Sequence, residues 1–89
     1  MNTINQTPLQ RLAQLLVAIR RECREAKEIA AALYAEAKRG KKSAPDDLES
    51  YRRWAESRAA YGFIRNALQS LEYASESVEK LEDREGREP

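Results

Sequence analysis

The chain has no histidine and a single cysteine, Cys23. Without histidine, the side chain most often used as a general base, and the commonest metal ligand, is missing. One cysteine closes no internal disulfide, which points to a reducing compartment. Glycine and proline number three each, and all but Gly62 lie in the terminal stretches or the central turn. So little punctuation excludes an all-β chain, whose turns draw on both residues at short intervals. No run of 18 apolar residues exists, so no membrane span is expected. The opening MNTINQTP lacks the basic-then-apolar order of a secretory signal. There is no glycine-rich phosphate loop and no CxxC pair. No enzyme, cofactor or metal site is expected from such a chain. The expected location is the cytoplasm of a bacterium, or of a phage-infected one.

What is present favours helix. Ala, Leu, Glu, Arg and Lys dominate the 89 residues, and 35% are charged. Leu9, Leu12, Leu16, Ile19, Cys23, Ala26, Ala30, Leu33 and Ala37 follow one another in alternating steps of three and four. That spacing lays an apolar stripe along one side of a long helix. Thr7 before Pro8 marks its start, a hydroxyl at the N-cap and a ring in the first turn. Lys38 and Arg39 followed by Gly40 mark its end. A first helix over about 8–39 is therefore expected.

The stretch GKKSAPD, residues 40–46, is the only convincing turn. Ser43 with Asp46, or Asp46 with Glu49, has the spacing of a capping box. A second helix is expected over about 46–83. Its second half repeats the stripe through Ile64, Ala67, Leu71, Ala74, Val78 and Leu81. Its first half is less regular: Leu48, Ala55, Ala59 and Gly62 make a small-residue face, while Trp54, Tyr61 and Leu68 recur every seven. Gly62 marks a kink or a close helix crossing in this reading. Residues 1–89 thus form one all-α domain, an antiparallel two-helix hairpin with frayed ends at 1–7 and 84–89.

Charge is divided unevenly. Residues 1–44 carry nine Lys/Arg and four Asp/Glu, whereas residues 45–89 carry seven and eleven. An antiparallel hairpin neutralises much of this internally. The expected register places Ile19 near Asn66 and Ala37 near Leu48. It runs the arginines of helix 1 along Glu72, Glu76 and Glu79.

Two helices share a single seam, and a chain this short gains little from one. Leu15 and Ile29 flank the stripe of helix 1, and Trp54, Tyr61, Phe63 and Leu68 lie beside that of helix 2. A broad apolar arc on both helices asks for a second cover. Another copy of the chain, completing a four-helix bundle as a dimer, is the simplest one.

Glu22, Glu25 and Glu28 interleave with Arg20, Arg21, Arg24 and Lys27, the pattern of ion pairs along one helix. Cys23 sits on the stripe as a small apolar side chain. On helix 2, Tyr51, Trp54, Arg58, Tyr61 and Arg65 alternate aromatics with arginines at steps of three and four. Such a ladder suits a protein hot spot, or stacking and phosphate contact. Lys38, Arg39, Lys41 and Lys42 make a basic tip, which caps the helix and offers salt-sensitive contact to nucleic acid. The expected function is a non-catalytic helical interaction module acting by protein–protein binding, as adaptor, assembly factor or phage- or plasmid-type inhibitor of a host protein. The alternative is a binder of nucleotides or nucleic-acid phosphates through the Arg–aromatic face.

Overall fold

The computed structural model describes residues 6–87 as two helices joined by a four-residue turn. Helix α1 is Pro8–Ser43 and helix α2 is Leu48–Arg87. No other secondary structure occurs among the described residues. The fold is the all-α antiparallel hairpin read from the sequence. The helices are about 54 and 60 Å long at 1.5 Å per residue. They give a rod of 67 × 28 × 14 Å with a radius of gyration of 19.6 Å. A compact chain of this length has about 12 Å.

The start of α1 follows the sequence reading. The Gln10 N–H donates to Thr7 Oγ1 at 3.1 Å, and the Thr7 N–H donates to Gln10 Oε1 at 3.0 Å. This reciprocal box satisfies two donors that a helix start leaves without partners.

The other boundaries move. Helix α1 does not stop at Gly40 but runs one turn further, and Ala44 donates to the Gly40 carbonyl as the cap. Gly40 has no positive φ, so it is an ordinary helical residue and not a left-handed stop. The extra turn brings Lys41 onto Trp54, a contact the shorter helix would lack. Helix α2 begins at Leu48, and neither expected box forms. Asp47 is the cap: its Oδ2 accepts from the Ser50 N–H at 3.2 Å and from the Ser50 hydroxyl at 2.7 Å. The far end of α2 lies at Arg87, beyond the expected Asp83. The frayed ends expected at 1–7 and 84–89 fall in part outside the described residues.

The seam is the larger departure. On α1 the covered positions include Leu9, Ala13, Leu16, Arg20, Cys23, Lys27, Ala30, Tyr34, Ala37 and Lys41, with Ala18 and Ala31 partly covered beside them. On α2 they include Trp54, Ser57, Tyr61, Ile64, Leu68, Leu71, Ser75 and Val78. Both rows keep the three–four rhythm. Half of the expected α1 stripe is in place, but the row Leu12, Ile19, Ala26 and Leu33 is not. It is replaced by Ala13, Arg20, Lys27, Tyr34 and Lys41. Trp54, Tyr61 and Leu68, expected beside the seam, are in it. Long cationic side chains cover aromatic surface with their methylene stems while the charge reaches water, so this row can face the rings of α2. Gly62 marks no close crossing: a Cβ built there meets nothing within 4 Å. The register shifts too. Tyr34 stacks on Tyr61 with centroids 5.9 Å apart, and Arg24 lies 3.8 Å from Glu72.

Burial is thin. Among the described residues the buried apolar side chains are Leu16, Ala30, Leu68 and Val78, and none of these is less than 6% exposed.

Candidate cation–aromatic cleft and apolar face

The hairpin has two unlike sides, and the seam fixes which residues share each. Arg24 pairs with Glu72 across one side. Tyr34, Lys38, Lys41 and Lys42 of α1 line a cleft with Trp54 and Arg58 of α2 on that same side. On the other side, Leu33, Glu36 and Gly40 share a cavity with Arg53 and Ser57. Rows continuing at steps of seven from Leu33, Glu36 and Arg53 therefore belong to this second side, and the row of Phe63, three residues on from Ala60, stands beside them on α2.

Apart from Glu22, Glu36, Arg53 and Glu56, these rows are apolar or small over residues 12–36 of α1 and 53–81 of α2. From α1 come Leu12, Leu15, Ile19, Ala26, Ile29 and Leu33. From α2 come Ala60, Phe63, Ala67, Ser70, Ala74, Ser77 and Leu81. The large members are uncovered: Phe63 is 73% exposed, Ile29 57% and Leu33 54%. The face has a division of size, large side chains on α1 and mostly small ones on α2.

The first side is cationic near the turn. The Lys41 ammonium stands 3.5 Å from the centre of the Trp54 ring and 5.7 Å from that of Tyr51. Tyr51 and Trp54 meet at 5.7 Å with their planes 47° apart. The Arg58 guanidinium lies 5.5 Å from the Trp54 centroid and Arg65 lies 5.7 Å from that of Tyr61. The five ladder residues thus fall into two sets of contacts, Tyr51, Trp54 and Arg58 with Lys41, and Tyr61 with Arg65 beside Tyr34. Trp54 and Tyr61 are half-buried, while Tyr51, Arg58 and Arg65 are exposed. Neither Arg58 nor Arg65 makes an ion pair among the described residues.

The basic tip joins this ladder in part. Lys38, Lys41 and Lys42 line the cleft beside Trp54 and Arg58, whereas Arg39 is exposed elsewhere. The cluster also stands on the last turns of α1 and not on a loop. Tyr34 is the residue the sequence reading missed. Its signal was present: it lies seven before Lys41 and seven after Lys27, on a row the apolar stripe had masked.

Comparison of the chain with protein-family models, with curated proteins and with solved structures finds no match. The geometry alone carries the reading.

Chemically, the cleft offers positive charge and a flat aromatic surface. Cys23 Sγ lies in the seam, 3.9 Å from the Ile64 carbonyl oxygen, as a weak donor. No cluster of His, Cys, Asp and Glu able to hold a metal exists among the described residues. No helix among them is long and apolar enough to cross a membrane. The Asp47 carboxyl is held below its ordinary value of 3.8. The Ser50 hydroxyl hydrogen bond is the main cause and the Ser50 N–H the next.

Proposed function

We propose that the protein is a non-catalytic helical interaction module, working by protein–protein binding, whose first partner is a second copy of itself. One observation carries this reading: Leu12, Leu15, Ile19, Ile29 and Leu33 of α1 and Phe63 of α2 are all exposed and stand in neighbouring rows on the second side, while Val17 is the large exposed aliphatic of α1 that lies off it. The accessible surface of the chain is 7196 Å². A compact monomer of 10.2 kDa exposes about 5,300 Å², so roughly 1,900 Å² is surplus. Two copies bring roughly 3,800 Å² to a shared interface, within the range of obligate dimers.

The size division gives the pairing a geometry. A two-fold axis lays α1 of one copy on α2 of the other, so that Leu12, Leu15, Ile19, Ile29 and Leu33 meet Ala60, Ala67, Ser70, Ala74 and Ser77. Large against small lets the layers interdigitate. The product is a four-helix bundle with the charged sides outward. Those sides serve the adaptor, assembly or inhibitor role, in the cytoplasm that a single cysteine favours.

Sedimentation equilibrium at micromolar concentration tests the first step. A species of twice 10.2 kDa is expected. A clean single-chain mass removes the self-association, and with it the assignment of the apolar face.

A further inference from the structure

We propose that the cleft between the end of α1 and the start of α2 is an anion site for a phosphate-bearing aromatic ligand, a nucleotide or a nucleotide unit of a single strand. This inference does not rest on self-association. The cleft lies on the side of the hairpin opposite the apolar face, so pairing of copies leaves it open.

Four observations meet there. The cavity is about 530 Å³, within the size range of small-molecule sites. Four cations line it, Lys38, Lys41, Lys42 and Arg58, and no carboxylate does. Their mutual repulsion has no internal counter-charge at this spot, so an incoming anion relieves it. The Trp54 indole forms part of the wall and holds Lys41 against one ring face. Arg58 stays beside the same ring without an acidic partner among the described residues.

This combination selects a ligand class. Carboxylates of an acidic peptide would use the cations but have no use for the indole. A nucleotide uses both, since its base stacks on an aromatic ring and its phosphates meet lysine and arginine. Lys41 is the pivot. Its ammonium leaves the indole face for phosphate, and the base takes the face it vacates. The arrangement carries no base-specific donor or acceptor set, so little discrimination among bases is expected.

Trp54 is the only tryptophan of the chain and so reports its own cleft. Its emission is titrated at low salt with adenosine triphosphate, an oligothymidylate, inorganic tripolyphosphate and a polyglutamate peptide. The expected result is quenching by one of the two base-bearing probes at concentrations at least tenfold below those needed for tripolyphosphate or polyglutamate. The better of the two tells whether the source is a free nucleotide or a strand. Lys41→Ala and Arg58→Ala each weaken that binding about tenfold. Lys38→Gln, at an exposed position, weakens it less, and Arg11→Ala at the far end leaves it unchanged. Circular dichroism of each variant checks that the helices persist. No quenching by either base-bearing probe overturns the proposal. So does equal binding of tripolyphosphate, which makes the cleft a charge sink, and so does tighter binding of polyglutamate, which makes it a peptide site.

Discussion

Lys41 reaches across the hairpin to cap the face of Trp54, with its ammonium 3.5 Å from the ring centre. The contact explains why α1 passes through Gly40, since ending there would leave the indole uncovered. Lys41→Met keeps the stem and removes the charge. It should lower stability by about 0.5–1 kcal/mol, the usual worth of a partly exposed cation–π contact. Lys41→Ala also uncovers the ring and should shift Trp54 emission to longer wavelength. Urea melts followed by fluorescence measure both effects.

The apolar face predicts a sharper outcome. Ile29→Glu together with Phe63→Glu changes two exposed residues that the hairpin itself scarcely uses. In a solitary chain such changes are worth within about 0.5 kcal/mol. Across a shared interface they bury four unpaired carboxylates and should return the protein to the mass of one chain. Sedimentation reads the mass, and circular dichroism should show loss of helix at micromolar concentration as the pairing is lost.

Arg20 and Ser75 face the same cavity across the seam, and both Arg20 Nε and Ser75 Oγ are buried without a hydrogen-bond partner. A buried polar atom left unpaired costs about 1–3 kcal/mol. Ser75→Ala removes one of them without adding volume and should raise stability by about 1 kcal/mol. A thermal melt beside the parent protein checks this. A lowered midpoint would mean that the hydroxyl has a partner in solution.

Gly62 and Gly40 are interior helical residues with open space where a Cβ would stand. Gly62→Ala should stabilise by about 1 kcal/mol, since alanine loses less backbone freedom on folding. For a domain of this size that is an increase of roughly 4–8 °C in Tm. Gly62 lies off the apolar face, so the same variant should leave the oligomeric mass unchanged.

Asp47 links the cap of α2 to pH. Its folded carboxyl titrates below the ordinary value of 3.8 because the Ser50 hydroxyl and N–H bind the charged form. The stability this contributes is complete above that ordinary value. It is lost as pH falls through the lower folded value. Asp47→Asn keeps an acceptor but removes the titration, so the variant should lose less stability on acidification than the parent. Carbon NMR of the side-chain carboxyl gives the midpoint directly, and a value at or above 3.8 would remove the cap.

Much of the hairpin was legible because it is written locally. Thr7, Pro8 and Gln10 specify a helix start within four residues, and the turn is short enough to force antiparallel neighbours. The Asp47–Ser50 cap was missed by one position because three acids and two serines offer overlapping boxes over residues 43–50. The ladder Tyr51, Trp54, Arg58, Tyr61 and Arg65 was visible as spacing, but Tyr34 and Lys41, which complete it, belong to the other helix.

By itself the sequence determined two long helices, their order and the periodic rows along each, because propensity, capping and spacing act within a few turns. Only the tertiary structure decided which pair of rows closes the seam. Helix α1 carries the row Leu12, Ile19, Ala26 and Leu33 beside the row Ala13, Arg20, Lys27, Tyr34 and Lys41, and a period of seven suits both. The rings of Trp54 and Tyr61, offered by the opposite helix, select the second through stacking and through the stems of lysine and arginine. That choice turns the greasier row outward and gathers the cations at one cleft.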